Sequence, residues 1–244
     1  MAIRVIVSGA AGHMGRIVCD NVNNDPELKL AGCVDPHGEG MSARVADISE
    51  NADVVIDFSS HEGTKQLLED CIEKGLPIVL CTTGQTEDEL AQIEEAAKKT
   101  AIFRSANMSV GVALVAKLVN EVAEKFSGSE IEIIEAHHNR KVDAPSGTAI
   151  MLADAAKKAR PDSVYVQGRA GHAKRENREI GINSIRMGNI VGMHEVMFGT
   201  NTQTITIKHE AHDRALFADG AIDAAKFLAG KEAGMYNMND LLGE

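Results

Sequence analysis

Over roughly the first 107 residues, short apolar runs alternate with helix-length amphipathic stretches, and this alternation constrains the fold most strongly. The runs are rich in Val and Ile, as in strands buried on both faces, whereas the stretches repeat apolar residues at helical spacing. Strands that alternate with helices form a parallel sheet with right-handed crossovers. Strands are expected over residues 3–8, 28–34, 54–58, 77–81 and 101–104. Helices are expected after the first and third strands, ending at Asp25-Pro26 and Gly75, and over residues 87–99.

The pattern changes after Asn107, which predicts a second domain. One long helix is expected over residues 110–126, and later β-rich runs follow one another without a helix-length stretch between them. Such an order favours a mostly antiparallel or mixed sheet in an α+β domain. The runs cover residues 130–138, 179–187, 190–198 and 202–209. We expect residues 160–177 to form a mobile loop and residues 214–228 to form the final helix.

Composition excludes several classes of function. The 244 residues include 25 Lys and Arg against 36 Asp and Glu, a formal net charge of −11, and only 3% are aromatic. A nucleic-acid partner is not expected, because it requires a basic face and usually stacking platforms. No apolar run approaches the roughly 20 residues of a membrane span, and no signal-peptide pattern precedes the first strand, so no membrane partner is expected. The four cysteines have no CxxC spacing, which favours free buried thiols and a cytoplasmic location.

A glycine-rich turn, Gly9-Ala10-Ala11-Gly12-His13-Met14-Gly15, separates the first expected strand from the first helix. Its glycines let backbone N–H groups approach a pyrophosphate, which the helix N-terminus attracts. Asp35 ends the second strand about 20 residues further on, where a carboxylate accepts hydrogen bonds from a ribose. These features predict a dinucleotide site in a Rossmann-like, doubly wound parallel domain. Because the spacing is GxxGxxG rather than GxGxxG, a turn without a ligand stays open, with Asp35 as a turn residue.

Positive charge is concentrated in one run of this acidic chain, His137-His138-Asn139-Arg140-Lys141, which is followed by Pro145-Ser146-Gly147-Thr148 directly before a helix. With Ser146 as N-cap, the N–H groups of the next two residues would face outward as an anion site. Two imidazoles, a lysine and a helix N-terminus suit a small dicarboxylate that must also be protonated. Two satisfied histidines on a solvated basic loop are the alternative. A metal site is disfavoured, because adjacent histidines on a strand do not chelate and the cations would repel a metal.

Side chains alternate along the strand expected over residues 130–138. Glu135 and His137 therefore share one face, and His138 points the opposite way. We infer that the two histidines have different tasks.

The run from Glu135 to Ala149, EAHHNRKVDAPSGTA, resembles the signature of the 4-hydroxy-tetrahydrodipicolinate reductase (dihydrodipicolinate reductase) family. Residues 9–15, 55–60, 82–84, 107–111 and 230–236 resemble the same family in the same order. The resemblance implies a two-domain homotetrameric oxidoreductase that uses NADH or NADPH. Its substrate would be a small cyclic dicarboxylate, 4-hydroxy-tetrahydrodipicolinate, which loses water as it is reduced to tetrahydrodipicolinate in lysine and diaminopimelate biosynthesis.

The resemblance also implies roles for individual residues. His137 matches the proton donor or acceptor, and Lys141 matches the proton-donating lysine. Substrate binding is implied for His138, Lys141, Ser146, Gly147 and Thr148. Cofactor binding is implied for Gly9, Ala10, Ala11, Gly12, His13, Met14, Asp35, Cys81, Thr82, Thr83, Ser105, Ala106, Asn107 and Met108. Because the last helix of the family packs on the nucleotide domain, residues 1–107 plus 213–244 would form that domain, and residues 108–212 the substrate-binding and oligomerisation domain.

Two residues depart from the family pattern. Cys81 replaces an expected glycine, and Pro36 stands where many members carry a basic residue. The residues alone leave Lys141 as either a proton donor or a charge clamp on a carboxylate. They also leave open a regulator that senses NAD(H) without chemistry, and a different Rossmann dehydrogenase that acts on sugars or amino acids.

The charge around Asp35 predicts the choice of dinucleotide. Its carboxylate would repel a 2′-phosphate unless a cation offsets it, and neither Pro36 nor His37 carries a fixed positive charge. We expect kcat/KM with NADH to equal or exceed kcat/KM with NADPH in steady-state assays. A preference for NADPH above about tenfold, or ~1.4 kcal/mol, would contradict this expectation and make His13, His37 or Arg44 the phosphate partner.

Overall fold

The computed structural model describes residues 2–243, which divide into two compact units. The first unit contains the residues up to Ser109 together with those from Ala215 onward, and the second unit is Val110–Arg214. Each division lies two residues beyond the domain boundary expected from the sequence. The dinucleotide-binding and substrate-binding roles of these domains stay predictions.

Strands and helices follow one another along both units. In chain order they are β1 (Ile3–Ser8), α1 (His13–Asn24), β2 (Leu28–Val34), β3 (Val54–Asp57), α2 (Thr64–Lys74), β4 (Ile78–Leu80), α3 (Glu87–Ala97), β5 (Ala101–Arg104), α4 (Val110–Lys125), β6 (Glu130–His137), α5 (Gly147–Ala159), β7 (Val164–Gln167), β8 (Glu179–Arg186), β9 (Gly192–Gly199), β10 (Thr204–Ala211), α6 (Ala215–Leu228), β11 (Gly234–Tyr236) and α7 (Met238–Leu241).

The first unit has a six-stranded sheet in the order β11–β5–β4–β3–β1–β2, and all neighbouring strands are parallel. Helices α2 and α3 cover a core that includes Ile6, Val55 and Ile78. Helix α6 packs against β3, β4 and β5, with the Phe227 ring edge-on to Phe103 on β5. Alternate residues of the strands thus meet helices on opposite faces, so the predicted doubly wound Rossmann-like arrangement is confirmed.

The second unit has a mixed five-stranded sheet in the order β10–β9–β6–β8–β7. Strand β6 pairs in parallel with β8 and antiparallel with β9, so it lies between two strands that are consecutive in the chain. Helices α4 and α5 pack on one face, where Leu152 meets Ile131, Ile133 and Phe198 in a buried core. The predicted mixed sheet is confirmed, and its topology places the end of β8 and the start of β9 beside the carboxyl end of β6.

Two predictions about the chain course were wrong. Residues 160–177, expected to be a loop, contain β7, which pairs in parallel with β8 because Val164, Tyr165 and Val166 are strand formers. Helix α6 is not the final helix, since α7 follows it, and between them β11 adds a sixth strand beside β5. Strand β11, Gly234-Met235-Tyr236, contains a glycine and no β-branched residue, so its composition gives little indication of a strand.

The cysteines are free thiols, but only Cys71 and Cys81 are buried. Cys19 and Cys33 are half-buried, with their Sγ atoms 3.7 Å apart. Burial of all four was therefore an incorrect expectation. Among residues 2–243, we find no helix with the length and apolar character needed to cross a bilayer.

Candidate functional site

The glycine-rich turn after β1 brings backbone unusually close to backbone. Gly9 has a φ of +75°, and a Cβ atom there would lie 2.5 Å from the Phe58 carbonyl oxygen. A Cβ atom on Gly15 would lie 2.0 Å from the Gly9 carbonyl oxygen. Helix α1 begins directly after Gly12, its N-cap, without a side-chain cap. Uncapped N–H groups and tight glycine packing fit the pyrophosphate of a dinucleotide.

Asp35, directly after β2, is linked to this turn. Its carboxylate accepts hydrogen bonds from the Ala11 N–H at 3.2 Å and from the His37 N–H at 3.0 Å. A cavity of about 530 Å³ is lined by Gly9, Gly12 and Asp35 among others, a volume typical of small-ligand pockets. Gly9, Ala11, Gly12 and Asp35 therefore lie together and fit the adenosine half of a dinucleotide.

The loops after β3 and β4 are joined by a buried carboxylate that the sequence analysis did not single out. Asp57 accepts hydrogen bonds from the hydroxyl groups of Ser59 and Thr82, both at 2.6 Å. Burial raises the pKa of Asp57 above its usual value, although these hydrogen bonds oppose the shift. Cys81 is buried with its thiol directed to the Val79 carbonyl at 3.8 Å, so this loop offers backbone rather than a sulfur atom to a ligand.

The remaining predicted cofactor residues follow β5. Ser105 donates from its hydroxyl to the Asn107 carbonyl at 2.9 Å, and the Asn107 side chain accepts from the Ser109 N–H at 2.8 Å. Met108 is buried, whereas Ala106 is exposed. The segment thus forms a hydrogen-bonded turn at the same carboxyl edge of the parallel sheet as the other loops, which is where ligands bind in such sheets.

In the second unit, four buried residues and the half-buried Arg186 form a group that we call the Glu135 cluster: Glu135, His137, Ser146, Arg186 and His194. Glu135 is fully buried on β6 and accepts a hydrogen bond from His137 Nδ1 at 2.6 Å. Arg186 donates to both Glu135 oxygens, at 2.8 and 2.7 Å. Burial raises the pKa of Glu135, but hydrogen bonds from Arg186, Ser184 and His137 outweigh it and lower the pKa to about 2. Glu135 is therefore ionised at neutral pH.

This carboxylate fixes the orientation of His137. An ionised carboxylate only accepts hydrogen bonds, so His137 Nδ1 must carry a proton. The other ring nitrogen, Nε2, lies over the start of β9, where a Cβ atom on Gly192 would approach it to 3.2 Å. Glycine at this position leaves room beside Nε2, which is the nitrogen available to exchange a proton.

Ser146 connects the cluster to α5. Its backbone N–H donates to Glu135 at 3.1 Å, and its hydroxyl accepts from the Ala149 N–H at 3.2 Å. The same hydroxyl lies 3.0 Å from His194 Nε2. The predicted N-cap is thus present, but the Ser146 side chain is buried and bound to protein groups. Its placement suits orientation of α5 and His137 better than contact with a substrate.

The other residues of the basic run are more accessible. Lys141 forms an ion pair with Asp143 at 2.8 Å, which lowers the pKa of that carboxyl group. His138 is half-buried, and burial, with the charge of Arg140, lowers its pKa. Gly147 is exposed at the start of α5, with no atom within 4 Å of a hypothetical Cβ. Lys141, His138 and Gly147 thus leave polar groups that an anion can reach.

Comparison with known proteins identifies the family. Residues 3–108 match the family described as dihydrodipicolinate reductase, N-terminus, and residues 111–242 match dihydrodipicolinate reductase, C-terminus. The chain belongs to the dihydrodipicolinate reductase family. The prediction made from its sequence motifs is confirmed.

Individual members of the dihydrodipicolinate reductase family resemble this chain along nearly its whole length. The 4-hydroxy-tetrahydrodipicolinate reductase of Caldanaerobacter subterraneus subsp. tengcongensis is 44% identical over 250 residues, covering 99% of each chain. That of Clostridium tetani is also 44% identical over 250 residues, covering 99% of this chain and 98% of the relative. The dipicolinate-bound dihydrodipicolinate reductase from Paenisporosarcina sp. TG-14 has the same fold, with a TM-score of 0.83 at 24% identity, covering 98% and 99% of the two chains.

Membership in the dihydrodipicolinate reductase family makes the chain an oxidoreductase that uses a nicotinamide cofactor. Sequence reasoning missed the parts of its Glu135 cluster that come from distant strands. Arg186 ends β8 opposite His137, and His194 on β9 faces Glu135. Glu135 itself was detectable, because a carboxylate two residues before a histidine shares its face of a strand.

The Glu135 cluster predicts a pH-dependent stability. Burial, together with the nearby His137 ring, lowers the pKa of His194 from 6.5 to about 4. Between pH 4 and 6.5, His194 binds fewer protons in the folded protein than in the unfolded chain. The contribution of neutral His194 to the free energy of unfolding is therefore fully present above pH 6.5 and is lost as the pH falls toward 4. Between pH 7 and 4.5, we expect the free energy of unfolding in urea to fall by about 2 kcal/mol more in the unmodified protein than in His194→Gln. Parallel pH curves for the two proteins would contradict this origin.

Proposed function

We propose that this chain reduces 4-hydroxy-tetrahydrodipicolinate to tetrahydrodipicolinate with NADH or NADPH, with loss of water, in lysine and diaminopimelate biosynthesis. The observation that carries the proposal is the 44% identity over 99% of the chain with reductases of that name. The Glu135 cluster supports it, because it holds an imidazole ready for proton transfer. The predicted cytoplasmic location stays a prediction.

When bound, the dinucleotide supplies the hydride. The backbone from Gly9 to Gly12 and the start of α1 hold its pyrophosphate, and Asp35 accepts hydrogen bonds from its ribose. The loops after β4 and β5, with Thr82, Thr83 and residues 105–108, contact its nicotinamide half. Support for these contacts comes from the glycine packing and from the position of all these loops at the carboxyl edge of one sheet.

His137 handles the proton. The reaction consumes one hydride and one proton and releases water, so a proton donor is required besides the dinucleotide. Glu135 keeps His137 Nδ1 protonated and stabilises the imidazolium, while Nε2 exchanges a proton beside Gly192. Arg186 holds the Glu135 carboxylate in place by a bidentate pair, the geometry with the strongest orientation.

Lys141, His138 and the start of α5 bind the dicarboxylate. The Lys141 ammonium group pairs with Asp143 at the surface and exchanges this partner for a substrate carboxylate, which makes it a charge clamp in our proposal. Backbone N–H groups at Gly147 and Thr148 bind the second carboxylate at the helix N-terminus. Placing cations beside the ring also stabilises negative charge that develops during reduction.

We further propose that four copies assemble into a homotetramer through the face of the mixed sheet opposite to α4 and α5. This face presents half-buried apolar side chains, including Ile134, Met193 and Met197, and the exposed Ile185. A sheet face with this apolar content is typical of a protein interface.

Loss of the imidazole should separate catalysis from cofactor binding. We expect His137→Ala to lower kcat on the order of 10²-fold, as for a lost general acid, with the Kd for NADH changed less than about twofold. Turnover is measured with freshly generated substrate, and NADH binding by its fluorescence. The matched control, His172→Ala, removes an exposed histidine and keeps kcat. Full activity of His137→Ala would refute the assigned role, and absence of turnover in the unmodified protein would favour a sensor.

Glu135 acts through His137 and is a positioning residue. We expect Glu135→Gln to lower kcat roughly tenfold without a change in the KM for NADH, because His137 loses the carboxylate that orients its ring. A merely structural role would instead change kcat and the KM for NADH together.

The assembly is tested on the sheet face itself. A charge at Met197 must be desolvated if the face is buried between copies, so Met197→Glu should shift the molar mass in light scattering from four copies to fewer. The control Lys158→Glu changes an exposed residue of α5 and leaves the mass unchanged. A tetramer that persists in Met197→Glu would place the interface elsewhere.

A further inference from the structure

The segment after β2 loops round and then runs parallel to the end of that strand. Val34 and Ser42 form a parallel bridge, and the Asp35 N–H donates to the Ser42 carbonyl at 2.9 Å. This return brings Arg44 into the wall of the cavity that Asp35 also lines. A guanidinium in that position is the group expected to bind the 2′-phosphate that distinguishes NADPH from NADH.

Arg44 is already bound to another carboxylate. Its Nη2 atom lies 2.5 Å and its Nε atom 3.4 Å from the two oxygens of Asp70 on α2. Asp70 is only 1% exposed and also accepts hydrogen bonds from the Ala46 N–H at 3.2 Å and from Gln66 at 3.0 Å. Burial raises the pKa of Asp70, but the hydrogen bond from Arg44 and the others outweigh it and hold the pKa below its usual value. The pair is therefore fully ionised.

Such a pair is difficult to open. If Arg44 turned away, a buried carboxylate would lose its counter-charge, which is strongly unfavourable. If Arg44 kept Asp70 and also approached a phosphate, the carboxylate would repel that phosphate. Asp35 and Glu62 also line the cavity. With Asp70, its lining therefore contains three carboxylates and one guanidinium, that of Arg44. The local charge disfavours an additional dianion.

We propose that Asp70 is a specificity-determining residue, which selects NADH over NADPH by holding the half-exposed Arg44 in an ion pair with its buried carboxylate. The inference rests on the proposed function, because it concerns the dinucleotide of that reaction. It identifies a residue on α2, remote in sequence from both the glycine-rich turn and Asp35. Asp70 acts on the choice of dinucleotide through Arg44.

Binding of each dinucleotide without substrate tests this inference, by titration calorimetry with NADH and with NADPH. Asp70→Asn keeps the size of the side chain but frees the guanidinium. We expect the Kd for NADPH to fall about tenfold, with the Kd for NADH changed less than about threefold. This gain should shrink at high salt, because it arises from a partly exposed charge.

The matched control is the double variant Asp70→Asn with Arg44→Gln. It has the same net charge as the original ion pair but no guanidinium. We expect its ratio of NADPH to NADH affinity to match that of the unmodified protein within about twofold. Thermal unfolding of each variant shows whether it is folded, and the double variant remains informative if Asp70→Asn alone does not fold.

Two results would overturn the inference. An unchanged ratio of NADPH to NADH affinity in folded Asp70→Asn would show that the ion pair with Asp70 does not keep Arg44 from binding the 2′-phosphate. A selective loss of NADPH affinity in the double variant would show that Arg44 already binds the phosphate in the unmodified protein. Both leave NADH binding intact and hence the proposed function standing. Failure of the unmodified protein to bind either dinucleotide would instead refute the proposed function, and this inference with it.

Discussion

The buried charge of Glu135 is the constraint on which the candidate site depends. A carboxylate with no exposed surface is stable only if cations and donors surround it. Arg186, His137 and the Ser146 N–H meet this need from three separate elements. Removing one partner leaves the charge uncompensated, so the elements that carry these groups are held to one geometry. The orientation of His137 is a consequence of this requirement.

The order of strands in the sheet explains how Arg186 and His194 come to lie beside Glu135. Strand β6 runs parallel to β8 and antiparallel to β9, so the carboxyl end of β6 lies beside the end of β8 and the start of β9. If β8 and β9 paired directly as a hairpin, β6 could neighbour only one of them, so Arg186 and His194 could not flank Glu135 from two sides. The insertion of β6 between them places an arginine on one side of Glu135 and a histidine on the other.

Sequence patterns predicted most of this framework. The bounds of β1 and β2 were found directly, because both strands are apolar runs ended by a turn residue, and the shared face of Glu135 and His137 followed from strand alternation. The pairing of Arg186 and Asp70 with their partners was not predictable, since it joins positions 51 and 26 residues apart in the chain. Strand β11 was missed because it contains a glycine and no β-branched residue, and β7 was missed because a segment rich in glycine and charge follows it.

Two buried carboxylates, each paired with an arginine, have opposite chemical consequences in this chain. Around Glu135 the arginine fixes an acceptor, and the acceptor in turn orients an imidazole whose second nitrogen stays available. Around Asp70, the pairing occupies the Arg44 guanidinium, which is then not available to bind a phosphate. Positive charge is scarce in a chain of net charge −11, so its effect depends on which acids surround each cation. Counting basic residues in a sequence therefore locates anion sites only after the buried acids have been assigned to their partners.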